Sequence, residues 1–249
     1  MTESKVRTLI LGFDGGDPAV FAAFDMPFLE QLLADGKLVT MNEDLLTRGW
    51  SEIVTGQTAE ATGGLYFRPI TGEKAPKLVI KYSQREMFAN PAPELDGFAV
   101  SGGGGGIGKI DGLPEGYCFP KSIEEHLLAE NYEFDVRLST MAESTFADFV
   151  RRVEEVVDSN VRTLERLTKA VPTDVTFMCL RPTTGLQYLA RHDIEQAALA
   201  KAEGREPAGN AALLKKHYAF LDEQIRKTFE AVKPDRFVLA ADHGTAPYR

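Results

Sequence analysis

The sequence predicts an α/β domain with a mostly parallel central sheet and helices on both of its faces. Three observations carry that expectation. Leu9–Asp17 (LILGFDGGD) and Phe237–Gly244 (FVLAADHG) are apolar, strand-like runs that each end abruptly in acid and glycine. A third apolar run, Asp174–Leu180, lies between two long segments of helical period, Thr145–Val171 and Ala211–Val232. Near-continuous apolar runs are what strands covered on both faces look like, and strands that alternate with helices assemble into parallel sheets.

In chain order, the first strand is expected over Val6–Phe13. Asp25–Gly36 places Phe28, Leu29, Leu32 and Leu33 at a helical spacing that stops at Gly36. Gly49–Thr55 is a short candidate helix and Ala61–Gly64 a turn. Recurring prolines and glycines then break any period, so residues 67–120 read as an irregular Gly/Pro-rich insertion, with strands near Lys77–Tyr82 and Gly97–Val100. Ser122–Glu130 reads as a helix with Ser122 as N-cap and Glu125, three residues on, completing a capping box.

Phe149, Val153, Val156, Val157, Val161, Leu164 and Leu167 form one apolar stripe along Thr145–Val171. Arg181–Gly185 and Glu203–Gly209 read as polar loops. No internal repeat is visible, and residues 1–249 are read as one domain long enough for a substantial core.

With 28 basic and 37 acidic residues the net charge is −9, which argues against a nucleic-acid duplex as partner. An anionic substrate would then need a metal or a local group of basic residues. Cys118 and Cys179 fit no zinc-ribbon or CxxC spacing and read as reduced, structural thiols of a cytosolic protein. No stretch approaches the ~20 apolar residues of a membrane span, and the polar N-terminus is unlike a signal peptide. A soluble, cytoplasmic protein without a membrane partner is the expectation.

The chemistry-bearing residues sit where strands end. Asp14 follows the first strand directly, and the glycines after it, Gly15 and Gly16, permit a sharp turn and leave room for a ligand; as a purely structural residue it would cap the next helix. Asp242 and His243 follow the last strand, and Gly244 relieves crowding beside them. Loops at the carboxyl ends of parallel strands are where α/β proteins hold their ligands, and two carboxylates with one imidazole suit a divalent transition metal such as zinc or manganese. Thr47 precedes the short Gly49–Thr55 segment. A hydroxyl at the positive end of a helix, beside unpaired N–H groups, favours phosphate, and a coordinated metal would lower its pKa. Alternatively, Thr47 is an ordinary N-cap.

Ser101–Gly108 matches a GxGxxG pattern only because nearly every position is glycine. It neither ends the first strand nor opens a helix, so it reads as a loop over the site and not as a dinucleotide fingerprint. His126, His192 and His217 lack a paired ligand at i+3 or i+4 and read as surface or capping residues.

In order, the Gly-x-Asp-Gly strand end, Met26–Leu32 (Met-Pro-x-Leu-x-x-Leu), Trp50–Gly56 (Trp-x-x-x-x-Thr-Gly) and the final Asp-His-Gly resemble the type I phosphodiesterase and nucleotide pyrophosphatase family of the alkaline phosphatase superfamily. Gly97–Gly103 is similar to the middle of those proteins. The resemblance implies an alkaline-phosphatase-like fold and a metal-activated hydroxyl that attacks phosphorus in line, giving a phosphoryl- or nucleotidyl-enzyme that water hydrolyses. It implies that Asp14, Asp242 and His243 bind one metal, with Thr47 as the nucleophile ligated to it. The Thr47-to-Trp50 spacing is one residue shorter than in the family, which leaves Ser51 as an alternative nucleophile.

A second metal in that family takes an Asp and a His four residues later; the corresponding positions here are Thr184 and Tyr188, neutral hydroxyls that replace carboxylate and imidazole poorly. The family's His-Gly after the Thr-Gly helix is here Thr62-Gly63, and its last histidine ligand lies beyond Arg249. One metal site is therefore expected intact and the second lost, with Arg48 or Arg181 supplying compensating charge to a small phosphate-ester substrate. Two alternatives stand beside a working enzyme. One is a catalytically impaired metal- or nucleotide-binding protein of the same fold. The other is a fragment of a longer enzyme, whose exposed apolar face would favour a homo-oligomer.

Overall fold

The structure, a computed structural model, describes residues 7–34, 36–39, 50, 53, 56–57, 67–70, 77–80, 96–100, 117–133, 136 and 145–244. Its centre is an open, wholly parallel sheet of β1 (Thr8–Phe13), β6 (Val175–Leu180) and β7 (Arg236–Ala241), with β1 in the middle. Each strand lies within a residue or two of where its apolar run predicts it. Between them run α1 (Pro18–Ala22), α2 (Pro27–Ala34), α3 (Glu124–Ala129), α4 (Phe146–Ala170), α5 (Pro182–Leu189), α6 (Arg191–Ala202) and α7 (Gly209–Val232). The 67–120 stretch contributes two small antiparallel pairs: β2 (Phe67–Ile70) with β3 (Lys77–Ile80), and β4 (Ala99–Val100) with β5 (Cys118–Phe119).

Pleat alternation sorts the sheet into two faces. Leu9, Leu11 and Phe13 of β1 point one way and are fully buried. They meet the stripe expected along α4 and a second stripe on α7, where Leu214, Tyr218, Leu221 and Ile225 recur at helical spacing and are all buried. Tyr218 stacks on Phe24 with ring centroids 4.0 Å apart. Thr145 begins α4 as predicted, its hydroxyl accepting from the Asp148 N–H at 3.2 Å.

Among the described residues α4 and α7 cover one face of the sheet, and Trp50, itself helical, lies on the other. On the other face Val175, Phe177 and Val238 are 60%, 40% and 45% exposed, and Trp50 packs edge-on against Phe177. Apolar composition identifies a strand but does not say which of its faces a helix will cover. Several expectations are corrected. Arg181–Gly185 is not a loop: the chain turns directly into α5, with the Thr183 hydroxyl donating to Leu180 O at 2.8 Å and Leu186 buried. The α6 helix has no apolar stripe strong enough to announce it, since only Ile194, Ala197 and Ala200 are buried. The capping box at Ser122 does not form, because a 3₁₀ turn over Lys121–Ile123 leads into α3 and no side chain caps it. His217 is buried between α4 and α7, Nδ1 3.3 Å from Glu154 Oε1, not a surface residue.

Candidate metal centre

Strand register builds the site. Because β1 and β7 run parallel with Phe13 opposite Ala241, the next residues, Asp14 and Asp242, leave the sheet side by side. The turn after Asp14 needs Gly15, which sits at φ +70° and where a Cβ would lie 2.8 Å from Thr184 Oγ1. The Gly15 N–H donates to Asp242 Oδ1 at 3.0 Å, tying the two loops together. Gly12 lets the Trp50 ring approach the strand, since a Cβ there would lie 2.5 Å from the indole.

Asp14 is 3% exposed, and its two oxygens face different neighbours. Oδ2 accepts from Arg181 at 2.8 Å and from Trp50 Nε1 at 3.1 Å. Oδ1 lies 2.5 Å from Thr184 Oγ1 and 3.8 Å from His243 Nε2. The Thr184 hydroxyl also reaches the Asp14 carbonyl oxygen, so its single proton can serve one oxygen or the other. His243 Nε2 stands 3.7 Å from Asp242 Oδ2, and Nδ1 is 2.9 Å from Gly244 O. With Nδ1–H donating to that carbonyl, the lone pair on Nε2 faces the two carboxylates, the tautomer a metal ligand requires. The Tyr188 ring stacks beside the imidazole at 6.4 Å between centroids.

Asp14, Asp242 and His243 thus come together as the strand ends predict, with one donor atom from each lying within 4.8 Å of the others. Donors held tetrahedrally at roughly 2.1 Å from an ion are about 3.4 Å apart, so the two separations to His243 Nε2, 3.8 and 3.7 Å, need contract by only a few tenths of an ångström. Two carboxylates and an imidazole of fixed tautomer fit zinc or manganese. Arg181 is brought to the same centre. Thr47, Arg48 and Ser51 lie outside the described residues. Sequence reasoning did not anticipate the Trp50 N–H on Asp14; it placed Thr184 and Tyr188 beside this centre by resemblance, but not on a helix, α5, where they lie one turn apart. A helix at 182–189 would have revealed that shared face.

Burial, and next the charge of Asp14, push the Asp242 carboxyl up to about 6, partly offset by the Gly15 N–H. Burial, with Asp14 and Asp242 nearby, likewise holds the Cys179 thiol well above its ordinary value. The metal-free fold therefore binds a proton on Asp242 more tightly than the unfolded chain does. Its contribution to stability is complete below the ordinary carboxyl range, near pH 4, and is lost as pH rises through about 6. Relative to Asp242→Asn, wild-type protein in chelator is expected to lose thermal stability between pH 4.5 and 6.5. A flat difference between the two proteins across that interval would contradict the raised carboxyl.

No family model, no curated protein and no solved structure matches the chain.

Proposed function

We propose that the protein is a metal-dependent phosphohydrolase of alkaline-phosphatase-like fold, acting on a small phosphodiester or nucleotide pyrophosphate. The observation that carries this reading is the convergence of Asp14, Asp242 and His243 at the carboxyl end of a parallel sheet, beside an arginine. Asp14, Asp242 and His243 would hold the ion, and Trp50 and the Gly15 N–H orient the two carboxylates. When bound, the metal supplies Lewis-acid charge that lowers the pKa of a coordinated hydroxyl. Thr47, on the strength of the sequence resemblance, is the nucleophile that becomes covalently phosphorylated or nucleotidylated, with Ser51 as the alternative. Arg48 and Arg181 are the groups assigned to the phosphate oxygens. Among the described residues no helix is long and apolar enough to cross a membrane; a cytoplasmic location is part of the proposal.

Metal-stripped protein is tested for cleavage of a bis-aryl phosphodiester after zinc or manganese is restored. Turnover that appears with metal, disappears with chelator and is lost in Thr47→Ala while metal remains bound is the expected result. Turnover that ignores chelator would overturn the metal reading, and full activity in Thr47→Ala would move the nucleophile to Ser51. A second reading, a metal-binding protein without turnover, is favoured by one observation: what α5 brings beside Asp14 and His243 is the neutral Thr184 hydroxyl and the Tyr188 ring, neither of them a carboxylate or an imidazole. Metal binding with no cleavage would select it.

A further inference from the structure

We propose that the protein has a second ligand site, built from none of the residues of the strand-end centre, and that it takes a small zwitterion: an α-amino acid with a short apolar side chain. The site is a cleft of about 180 Å³ where the α1–α2 link, the end of α6 and the first half of α7 meet. That is the space of roughly six waters at about 30 Å³ each, enough for roughly ten non-hydrogen atoms and below the range of drug-sized ligands. Its floor is apolar and fixed. Ala23, Phe24 and Ala197 are buried there, and Phe24 is stacked on Tyr218.

The walls carry charge of both signs, and those charges differ in how far the chain itself engages them. Lys201 is fully engaged: Nζ donates to Ala22 O at 3.2 Å and to Phe24 O at 2.9 Å, and stands 3.1 Å from Asp25 Oδ1. An ammonium has three donors, so none is left for a ligand. Arg205 is different. Its Nε is on Glu203, while its two terminal nitrogens have no partner among the described residues. Asp25 is 67% exposed and, among the described residues, is held by Lys201 alone, so most of its acceptor positions stay open. Lys215 donates to both oxygens of Glu206, at 3.0 and 2.8 Å. Glu206 is 82% exposed, and an ion pair so exposed contributes little, so a ligand carboxylate can exchange for it.

The turn that presents Arg205 is fixed to α6. Gly204, at φ +67°, donates to Lys201 O at 3.1 Å, and Arg205 N donates to Ala200 O at 3.0 Å, the pattern of a glycine-terminated helix. Counting Glu203 with the walls, Lys201, Arg205 and Lys215 balance Asp25, Glu203 and Glu206. A neutral lining with both signs suits a ligand that is neutral overall and carries both signs. The Arg205 fork receives its carboxylate, Asp25 receives its ammonium, and Phe24 and Ala197 receive its side chain.

L-Valine is titrated into the full chain by calorimetry, beside isovalerate, which lacks the ammonium, and isobutylamine, which lacks the carboxylate. Valine is expected to bind in the millimolar range or tighter, and each truncated ligand about tenfold or more weaker. Arg205→Gln and Asp25→Asn are each expected to weaken valine about tenfold, the scale of one charge-assisted hydrogen bond. Valine that does not saturate by about 50 mM would overturn the site. Isovalerate binding within about twofold of valine would overturn the zwitterion and leave a plain anion site, and unchanged affinity in Arg205→Gln would overturn the assignment to this cleft. The comparison of the three ligands on wild type decides even if a variant does not fold. Zinc binding should be the same in Arg205→Gln as in wild type, so the phosphohydrolase reading stands or falls separately.

Discussion

Asp14→Asn is expected to lower metal affinity by about 100-fold or more and to remove metal-dependent turnover, with a smaller effect on the metal-free fold. Outer-shell partners of a metal ligand already contribute about 10–100-fold to affinity, and Asp14 would be a ligand itself. The substitution preserves shape, so Trp50 and Thr184 still meet an amide at a site only 3% exposed. Two changes in metal-free stability oppose each other. Arg181 loses the carboxylate it contacts at 2.8 Å, which destabilises by roughly 1.5–3 kcal/mol as for a hydrogen bond between charged groups. Asp242 loses the neighbouring negative charge that, after burial, is the main cause of its raised pKa, and this relief stabilises the fold at neutral pH.

The net shift in unfolding free energy should therefore be within about 2 kcal/mol, while zinc binding measured by calorimetry collapses. The stability profile of Asp14→Asn should also depend less steeply on pH near 6, because Asp242 keeps the upward push of burial and loses that of the Asp14 charge. Metal affinity within tenfold of wild type would remove Asp14 from the ligand set.

Asp222→Ala is expected to destabilise the protein by about 2–4 kcal/mol without touching the metal centre. Asp222 lies in the middle of α7, 6% exposed, and its carboxylate accepts from Phe28 N at 3.0 Å and Leu29 N at 2.8 Å. Those N–H groups belong to the first turn of α2, where no intrahelical partner exists for them and where the helix dipole favours negative charge. One acid on a distant helix thus caps α2 and holds Leu29 against the core, while Phe28 packs edge-on to Phe229 at 5.8 Å between ring centroids. Removing it leaves two buried donors unpaired, and replacing them with water would require α2 to lift away.

For a domain of this size such a loss corresponds to a fall in melting temperature of roughly 5–12 °C. Asp222→Asn keeps acceptor capacity and should recover about half of it. Urea unfolding measures both variants at constant denaturant slope, and a loss below about 0.5 kcal/mol for Asp222→Ala would mean α2 is capped in another way.

Asp14 and Asp222 mark the two ends of what could be read in advance. Asp14, Asp242 and His243 stand directly after apolar runs, so a rule about strand ends identifies them. Asp222 sits inside a helical period and looks like any polar residue on a solvated face; its partners are 194 and 193 residues away. The α5 helix was hidden for a related reason. Arg-Pro-Thr-Thr-Gly is turn-like in composition, yet proline is well suited to a first helical turn and Leu186 needs burial. Once that segment is helical, Arg181, Thr184 and Tyr188 all come to the centre.

The sequence by itself determined the strands, the two long helices and the three residues most suited to a metal, because hydrophobic period and strand-end chemistry are local properties of the chain. Only the tertiary structure decided that β7 pairs with β1 in the register that sets Asp242 beside Asp14. It alone decided that Arg181 and Trp50 share one oxygen of Asp14. Those outcomes depend on pairings between residues far apart in sequence, which are settled by the burial and hydrogen bonding of the whole fold and leave no mark on any single segment.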